Sequence, residues 1–416
     1  MMDGKILDVA VIGAGPAGLM AAYSAAILGA SVTVFEKNNR SGRKLRITGK
    51  GRCNVTNNCT VQEFMEAVPE NSKFLYSAAN RLTPADVIAF FEGLGVPLKT
   101  ERGRRVFPES DSAHDIANAL ERAATDAGVR IKYNSAVTDI LFDESEEGRR
   151  ITGVRVGGNV IAARSVIVAT GGASYPGTGS TGDGYRFAER LGIKVVEPVP
   201  SLIPVITAED TADMSGLSLK NVTLTVKNKK GKVVFTELGE MLFTHFGLSG
   251  PLVLSASAHM RDGAGEYTMH IDMKPALDEK TLDQRLVSDL SKYSAKDFAN
   301  SLGDLLPRVL IPEVIYRSGI DPHKKSSNVT KEERRTLCSI LKDLVFTPTE
   351  FRPIDEAIIT RGGVSVKEIV PGTMAAKSVD GLYFAGEVID VDAYTGGYNL
   401  QIAFSTGKLA GEAAGK

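Results

Sequence analysis

The patterned part of the chain opens with an unbroken apolar run, Val9 to Ile12, of the length and β-branched character of a buried strand. Glycines at 13, 15 and 18 follow, and an Ala-rich helix is predicted from Pro16 to about Leu28, stopped by Gly29. A second strand, Ser31 to Phe35, ends in Glu36. Thr83-Pro84 with Asp86 starts a helix whose apolar face runs through Val87, Phe90 and Phe91, and Ser112 starts another that ends before Gly128. Residues 129–163 alternate as a meander with turns at 146–148 and Gly157-Gly158-Asn159. A buried strand, Ser165 to Ala169, then opens into a glycine-rich stretch and a helix, Tyr185 to Leu191.

From Gly192 the pattern changes. Residues 193–275 read as short strands (Leu217 to Val226, Lys232 to Thr236, Glu266 to Met273) with turns such as Asn228-Lys229-Lys230-Gly231. Within them Phe243 to Pro251 heads a short apolar helix, and residues 276–345 carry helical periodicity. The end of the chain returns to the first style. Ala357 to Thr360 and Val364 to Ile369 are predicted as a hairpin about Arg361-Gly362-Gly363. Leu382 to Ala385 is a strand ending in Gly386-Glu387, and a last helix runs from about Leu400 to Ala414.

A chain of 416 residues suggests two or three domains. Its formal net charge of -1 gives no global field for nucleic acid or membrane, so any such contact must be a local patch. Cys53, Cys59 and Cys338 make neither a disulfide framework nor a zinc site, and the five histidines are scattered, so no metal is expected and the reading is cytoplasmic. Val9 to Phe35 holds no charge and is long enough to span a bilayer. The glycines and Pro16 crowded into one turn favour a strand–turn–helix reading instead, without a membrane span.

That turn carries the chemistry. Gly13, Gly15 and Gly18 fit the G-x-G-x-x-G pattern of a dinucleotide site. The first glycine permits the tight turn, the second lets backbone approach a pyrophosphate, and the third lets helix pack on strand. Pro16 and Ala17 open a helix whose N-terminus favours negative charge, and Glu36 ends the second strand where a ribose-binding acid is needed. Arg40 to Arg52 then holds six basic residues and no acidic one, with glycines at 42, 49 and 51 that read as loop. Thr170-Gly171-Gly172, and Gly386-Glu387 with Gly396-Gly397-Tyr398-Asn399, are further places where backbone can approach the same ligand.

These residues resemble a known group. GAGPAG with Glu36, ATGG at 169–172 and GLYFAGE at 381–387 look like the two-dinucleotide-binding-domain flavoproteins of the glutathione-reductase superfamily. TGKGRCNVTN, FTHFGLSGP, RGGV and FAGEVIDVDAYTGGYNLQ look like the bacterial flavoproteins called BaiN-like, YhiN-like or aminoacetone-oxidase-family, over essentially the whole chain. The resemblance implies an α/β fold. A Rossmann-like FAD-binding domain (1–192 and 370–416) would carry an inserted β domain (193–275 and 346–369) and a small helical subdomain (276–345). It implies tightly held, non-covalent FAD. Gly13, Gly15 and Gly18 match the pyrophosphate motif, Glu36 the adenosine-ribose acid and Glu387 the acid that holds the ribityl chain. Residues 49–54 (with Gly51, Arg52, Cys53 and Asn54), Gly362, Gly363, Gly397, Tyr398 and Asn399 would surround the isoalloxazine. Pro16, Ala17, Lys37, Arg43, Lys44, Val137, Thr170, Gly171, Gly172 and Gly386 complete the expected contacts.

No second G-x-G-x-x-G occurs midway and Cys53 and Cys59 are too far apart for the disulfide-reductase pair, so NAD(P)H is expected only as a transient electron donor. The expected activity is FAD-dependent reduction of a conjugated C=C, with uridine in ribosomal RNA favoured as substrate. An enone or 3-oxo-steroid reductase, an aminoacetone-type amine oxidase and a flavin-binding redox sensor without turnover are the alternatives. Structured RNA is the expected partner, through the basic loop 40–52. Cys53, His245, Asp392 and Tyr394 are candidates for proton transfer, and spacing does not choose among them.

Overall fold

The computed structural model describes residues 6–146 and 148–416, and the chain divides into two compact units, residues 1–201 with 353–416 and residues 202–352. In the first unit β1 (Leu7–Ile12) lies parallel between β2 (Val32–Phe35) and the second half of the strand Asn159–Val168. Arg130–Lys132 extends this sheet beyond β2, and Leu382–Phe384 extends it beyond Asn159–Val168, again in parallel. Val9, Ala10 and Val11 are wholly buried, as a continuous apolar run in a parallel sheet requires. The first half of Asn159–Val168 pairs antiparallel with Gly148–Val156, which pairs with Val137–Ser145. The turn expected at 146–148 includes Glu147, which lies outside the described residues.

Helix α1 (Pro16–Ala26) follows β1 and is crossed closely by the C-terminal helix Tyr398–Ala414. Small residues allow this. A Cβ on Gly407 would stand 2.4 Å from the carbonyl oxygen of Ala17, and one on Gly411 would stand 2.1 Å from that of Ala21. The contact buries the alanine face of α1 against backbone, so the last helix fixes the helix whose start faces the dinucleotide turn.

The unit boundaries differ from those expected at 192/193 and 369/370. Val195–Ser201 pairs antiparallel with Ile359–Val364, and Val364 and Ile369 lie in the first unit's core. The hairpin expected over 357–369 is therefore a single strand followed by a 3-10 turn, Val366–Glu368, because its pairing partner is residues 195–201.

The second unit is a seven-stranded antiparallel sheet packed with helices that include Glu279–Lys292, Ile311–Ser318 and Lys331–Lys342. Helical and strand residues share one core, with Leu282, Leu286, Val314 and Leu337 beside Leu224, Met269 and Phe346. The stretch Phe243 to Pro251 does lead into a short apolar helix, Pro251–Ser257; before it the chain ends the strand Val233–Thr244, turns at His245, and forms the strand Gly247–Ser249. Among the described residues no helix is long and apolar enough to cross a membrane.

Candidate active site

The glycines at the end of β1 have different neighbours. Gly13 has φ +102, and a Cβ there would lie 2.6 Å from the Ala169 carbonyl oxygen. A Cβ on Gly18 would lie 2.0 Å from the carbonyl oxygen of Gly13, so this glycine lets α1 sit directly on the turn. Gly15 is different. Nothing stands within 4 Å of its Cβ position, and it borders a cleft of about 190 Å3 that is partly open to solvent. No side chain caps the α1 N-terminus above it, and Pro16 has no N–H to offer.

Glu36, at the end of β2, forms the wall beside this turn and is almost fully buried. Its Oε2 accepts the Ala14 N–H at 2.8 Å, and its Oε1 accepts the Asn38 N–H at 2.9 Å and the Asn38 amide at 2.6 Å. Oε2 keeps lone-pair capacity for a hydroxyl donor. Lys37 reaches Thr181 and Asp183, both at 2.6 Å. Against the cost of burial, Lys37 and Arg186 hold the Asp183 carboxyl below its ordinary pKa.

A second group of polar side chains on the cleft centres on Glu387. Lys44, carried by the short helix α2 (Arg43–Ile47), donates to both carboxylate oxygens at 3.0 and 2.8 Å and to Ser174 Oγ at 2.6 Å. Ser174 Oγ donates to Glu387 at 2.9 Å, and the Thr360 N–H donates at 3.0 Å. Thr360 Oγ1 in turn accepts the N–H groups of Ala173 and Ser174, so two loops and a strand converge on one carboxylate. Burial, and then the charge of Glu387, raises the pKa of Tyr185 beneath this cluster and keeps its hydroxyl protonated. The sequence reading missed Ser174, Thr360 and Asn38. The first two become visible only once Val195–Ser201 is paired with Ile359–Val364 and the strand's facing is known.

Of the expected contacts, Gly13, Gly15, Pro16, Ala17, Glu36, Lys37, Arg43, Lys44, Val137, Thr170, Gly171, Glu387 and Asn399 border the cleft. Asn399 clamps both backbone groups of Ala393, at 2.9 and 2.8 Å. Gly18, Gly51, Arg52, Cys53, Asn54, Gly172, Gly363, Gly386, Gly397 and Tyr398 are not on its wall. Several of these glycines meet protein. A Cβ on Gly363 would lie 2.6 Å from the Val388 oxygen, one on Gly386 2.7 Å from the Ala17 Cβ, and one on Gly397 2.4 Å from the Thr56 backbone. Gly172 faces Thr360 and Glu387 instead.

The basic stretch 40–52 is not all loop, because Arg43–Ile47 is helical, nor is it all surface. Arg46 is buried, and burial with the nearby Arg40 lowers its pKa. Arg52 lies over Phe107 and bonds Glu101 at 2.5 Å and Asp111 at 2.6 Å. With Lys44 on Glu387, three of the six cations are buried or already paired with acids, leaving Arg40, Arg43 and Lys50 exposed.

Cys53, one of the proton-transfer candidates, lies off the cleft wall. The side chain is fully buried, and burial pushes its pKa from 9.0 up to about 12, against which Arg52 and Lys50 contribute nothing. Asp392 is also buried and accepts Ser201 Oγ at 2.7 Å, while the Tyr394 N–H bonds the Ala67 carbonyl at 3.1 Å. His245 sits exposed on the turn of the second unit, its ring 5.0 Å from that of Phe246.

The residues fit FAD. Gly15 leaves room where backbone must meet a pyrophosphate, and Glu36, on the cleft wall, has a lone pair for a ribose hydroxyl. This parallel sheet, turn and acid define an FAD-binding flavoprotein with a Rossmann-like domain, and the class is that of FAD-dependent oxidoreductases. Residues 7–413 match the family described as "HI0933-like protein Rossmann domain", and the chain belongs to it. It is 34% identical to a Haemophilus influenzae protein named "Ribosomal RNA dihydrouridine synthase", over 95% of each chain. It is 29% identical to the Clostridium scindens "3-dehydro-bile acid delta(4,6)-reductase", over 98% of each. A solved 3-ketosteroid delta1-dehydrogenase from Sterolibacterium denitrificans shares the fold at 15% identity, with 99% of each chain covered and a TM-score of 0.54.

Proposed function

We propose that the protein reduces a C=C bond conjugated to a carbonyl, and that its substrate is a uridine of ribosomal RNA, converted to dihydrouridine. The observation that carries this reading is the full-length relationship to the relative named for that reaction. FAD, when bound and reduced, supplies the hydride, with NAD(P)H the proposed transient reductant. The chain's own work is to hold and orient. The turn 13–18 and Glu36 take the adenosine and pyrophosphate end, and Glu387 with Lys44, Ser174 and Thr360 takes the ribityl end. A proton must also reach the substrate, and His245, Asp392 and Tyr394 are the proposed donors. Cys53, buried with a pKa near 12, is too weak and too enclosed an acid for that task. Arg40, Arg43 and Lys50 offer charge to phosphates.

The bile-acid relative supports a second reading, reduction of a small 3-oxo-steroid enone by the same chemistry. Purified holoenzyme with NAD(P)H, offered unmodified ribosomal RNA or a conjugated 3-oxo steroid, separates the two. Dihydrouridine formed in the RNA supports the first; turnover of the steroid alone transfers the assignment to the second.

A further inference from the structure

With half of the 40–52 cations buried or already paired with acids, a polyanion needs other positive surface, and the second unit holds one. From Met214 to Thr236 the chain carries Lys220, Lys227, Lys229, Lys230 and Lys232 and no acidic residue, in a protein whose net charge is -1. The strands Ser218–Asn228 and Val233–Thr244 form a hairpin, and these lysines lie along its first strand and at its tip.

The tip is held by its own backbone and one asparagine. The Asn228 N–H donates to the Lys232 carbonyl at 3.0 Å and the Gly231 N–H to the Asn228 carbonyl at 2.8 Å. Asn228 Oδ1 accepts the N–H groups of Lys230 and Lys232, each at 3.0 Å. No lysine ammonium is used to build the turn, so the charges are presented rather than consumed. Lys229 pairs with Glu266 at 2.5 Å in an exposed and therefore weak contact. Lys220, Lys230 and Lys232 are exposed and have no acidic partner among the described residues.

The sheet face beside the tip matches. Leu219, Val222, Leu224 and Val226 point into the core, which leaves Lys220, Thr223, Thr225 and Lys227 on the opposite face. Thr225 Oγ1 meets Thr236 Oγ1 across the ladder at 3.0 Å; on the next strand Thr268 bonds His270, which bonds Asp343, and Asp272 stands opposite Thr223 with Lys342 as its partner. The exposed lysine ammoniums at the tip are the donors that phosphodiester oxygens take, and such contacts set position without reading sequence.

We infer that this lysine hairpin and its threonine face dock the phosphodiester backbone of structured RNA. The inference rests on the RNA reading of the substrate and adds the surface that holds the substrate outside the flavin cleft. It is tested with full-length holoenzyme and purified ribosomal RNA titrated over a salt series. The variants are Lys229→Gln/Lys230→Gln/Lys232→Gln and the matching triple Lys→Arg.

The Gln triple should bind at least about tenfold more weakly at low salt. Its slope of log affinity against log salt should fall by about 2, at roughly 0.7–0.9 for each phosphate that is no longer neutralised. The Arg triple should restore both, and FAD content and melting temperature should stay at the wild-type values throughout. Wild-type binding with an unchanged slope in the Gln triple overturns the hairpin's role and leaves the RNA reading standing. A wild-type protein that binds no RNA at low salt overturns both. Loss of binding to anionic phospholipid vesicles with RNA affinity retained would assign the patch to a membrane surface and overturn the inference.

Discussion

Gly15 and Gly18 stand three residues apart in one motif and should fail in different ways. Gly15 has φ -79 and open space at its Cβ position, so Gly15→Val should fold with the melting temperature of the wild-type apoprotein and lose its flavin absorbance. Gly18→Val drives a side chain into the Gly13 carbonyl and should lower the melting temperature itself. A yellow Gly15→Val protein would remove the pyrophosphate from that turn. Cys53 gives a pH test. Its thiol keeps a proton in the native state that the unfolded chain sheds above about pH 9, so this stabilisation is whole below pH 9 and lost as pH rises toward 12. Urea midpoints should therefore fall over that window by more in wild type than in Cys53→Ala, by up to about 1.4 kcal/mol per pH unit. Equal loss would mean that the thiol is not buried as described. The motif glycines and Glu36 were legible because a turn's needs are local. The setting of Cys53 was not, because burial depends on residues distant in sequence.

Among elements, the closest approach is that of the C-terminal helix to α1. Alanine at a solvent-facing helical glycine ordinarily stabilises by up to about 1 kcal/mol. At Gly411 the added methyl would meet the Ala21 carbonyl oxygen, so Gly411→Ala should destabilise by about 1–3 kcal/mol and speed FAD release through α1. A melting curve and the rate of flavin fluorescence recovery check both. A stabilised Gly411→Ala would contradict this packing. Both helices could be read from sequence because their ends are marked locally, α1 by Pro16 and the Gly29 that follows it and the last helix by the Gly396-Gly397 pair before it. Their crossing could not, although the spacing of Gly407 and Gly411 is its trace. The strand Ile359–Val364 was misjudged as half a hairpin for the same reason, since its partner Val195–Ser201 lies across the whole insertion. In the basic stretch the charge was visible, but the commitments of Lys44, Arg46 and Arg52 depend on Glu387, on burial and on surface pairing with Glu101 and Asp111.

At the scale of the molecule, the second unit brings its own ends together, with Val205 paired to Phe351 and the Arg352 N–H on the Pro204 carbonyl. Residues 202–352 expressed alone should therefore fold and melt cooperatively, and residues 1–201 joined to 353–416 by a short linker should still bind FAD. An unfolded 202–352 fragment would contradict a self-contained core. The change of style near residue 192 announced the insertion, but its strands and helices read as separate domains because a shared core such as Leu224 with Leu282 leaves no local mark. The central claim is that this oxidoreductase acts on ribosomal RNA. It is tested most directly by mass mapping of ribosomal RNA from cells with the gene, without it, and without it but supplied with Gly15→Val. The account predicts one uridine heavier by two hydrogen atoms with the gene and the plain uridine in the other two strains. Identical RNA in all three would contradict it.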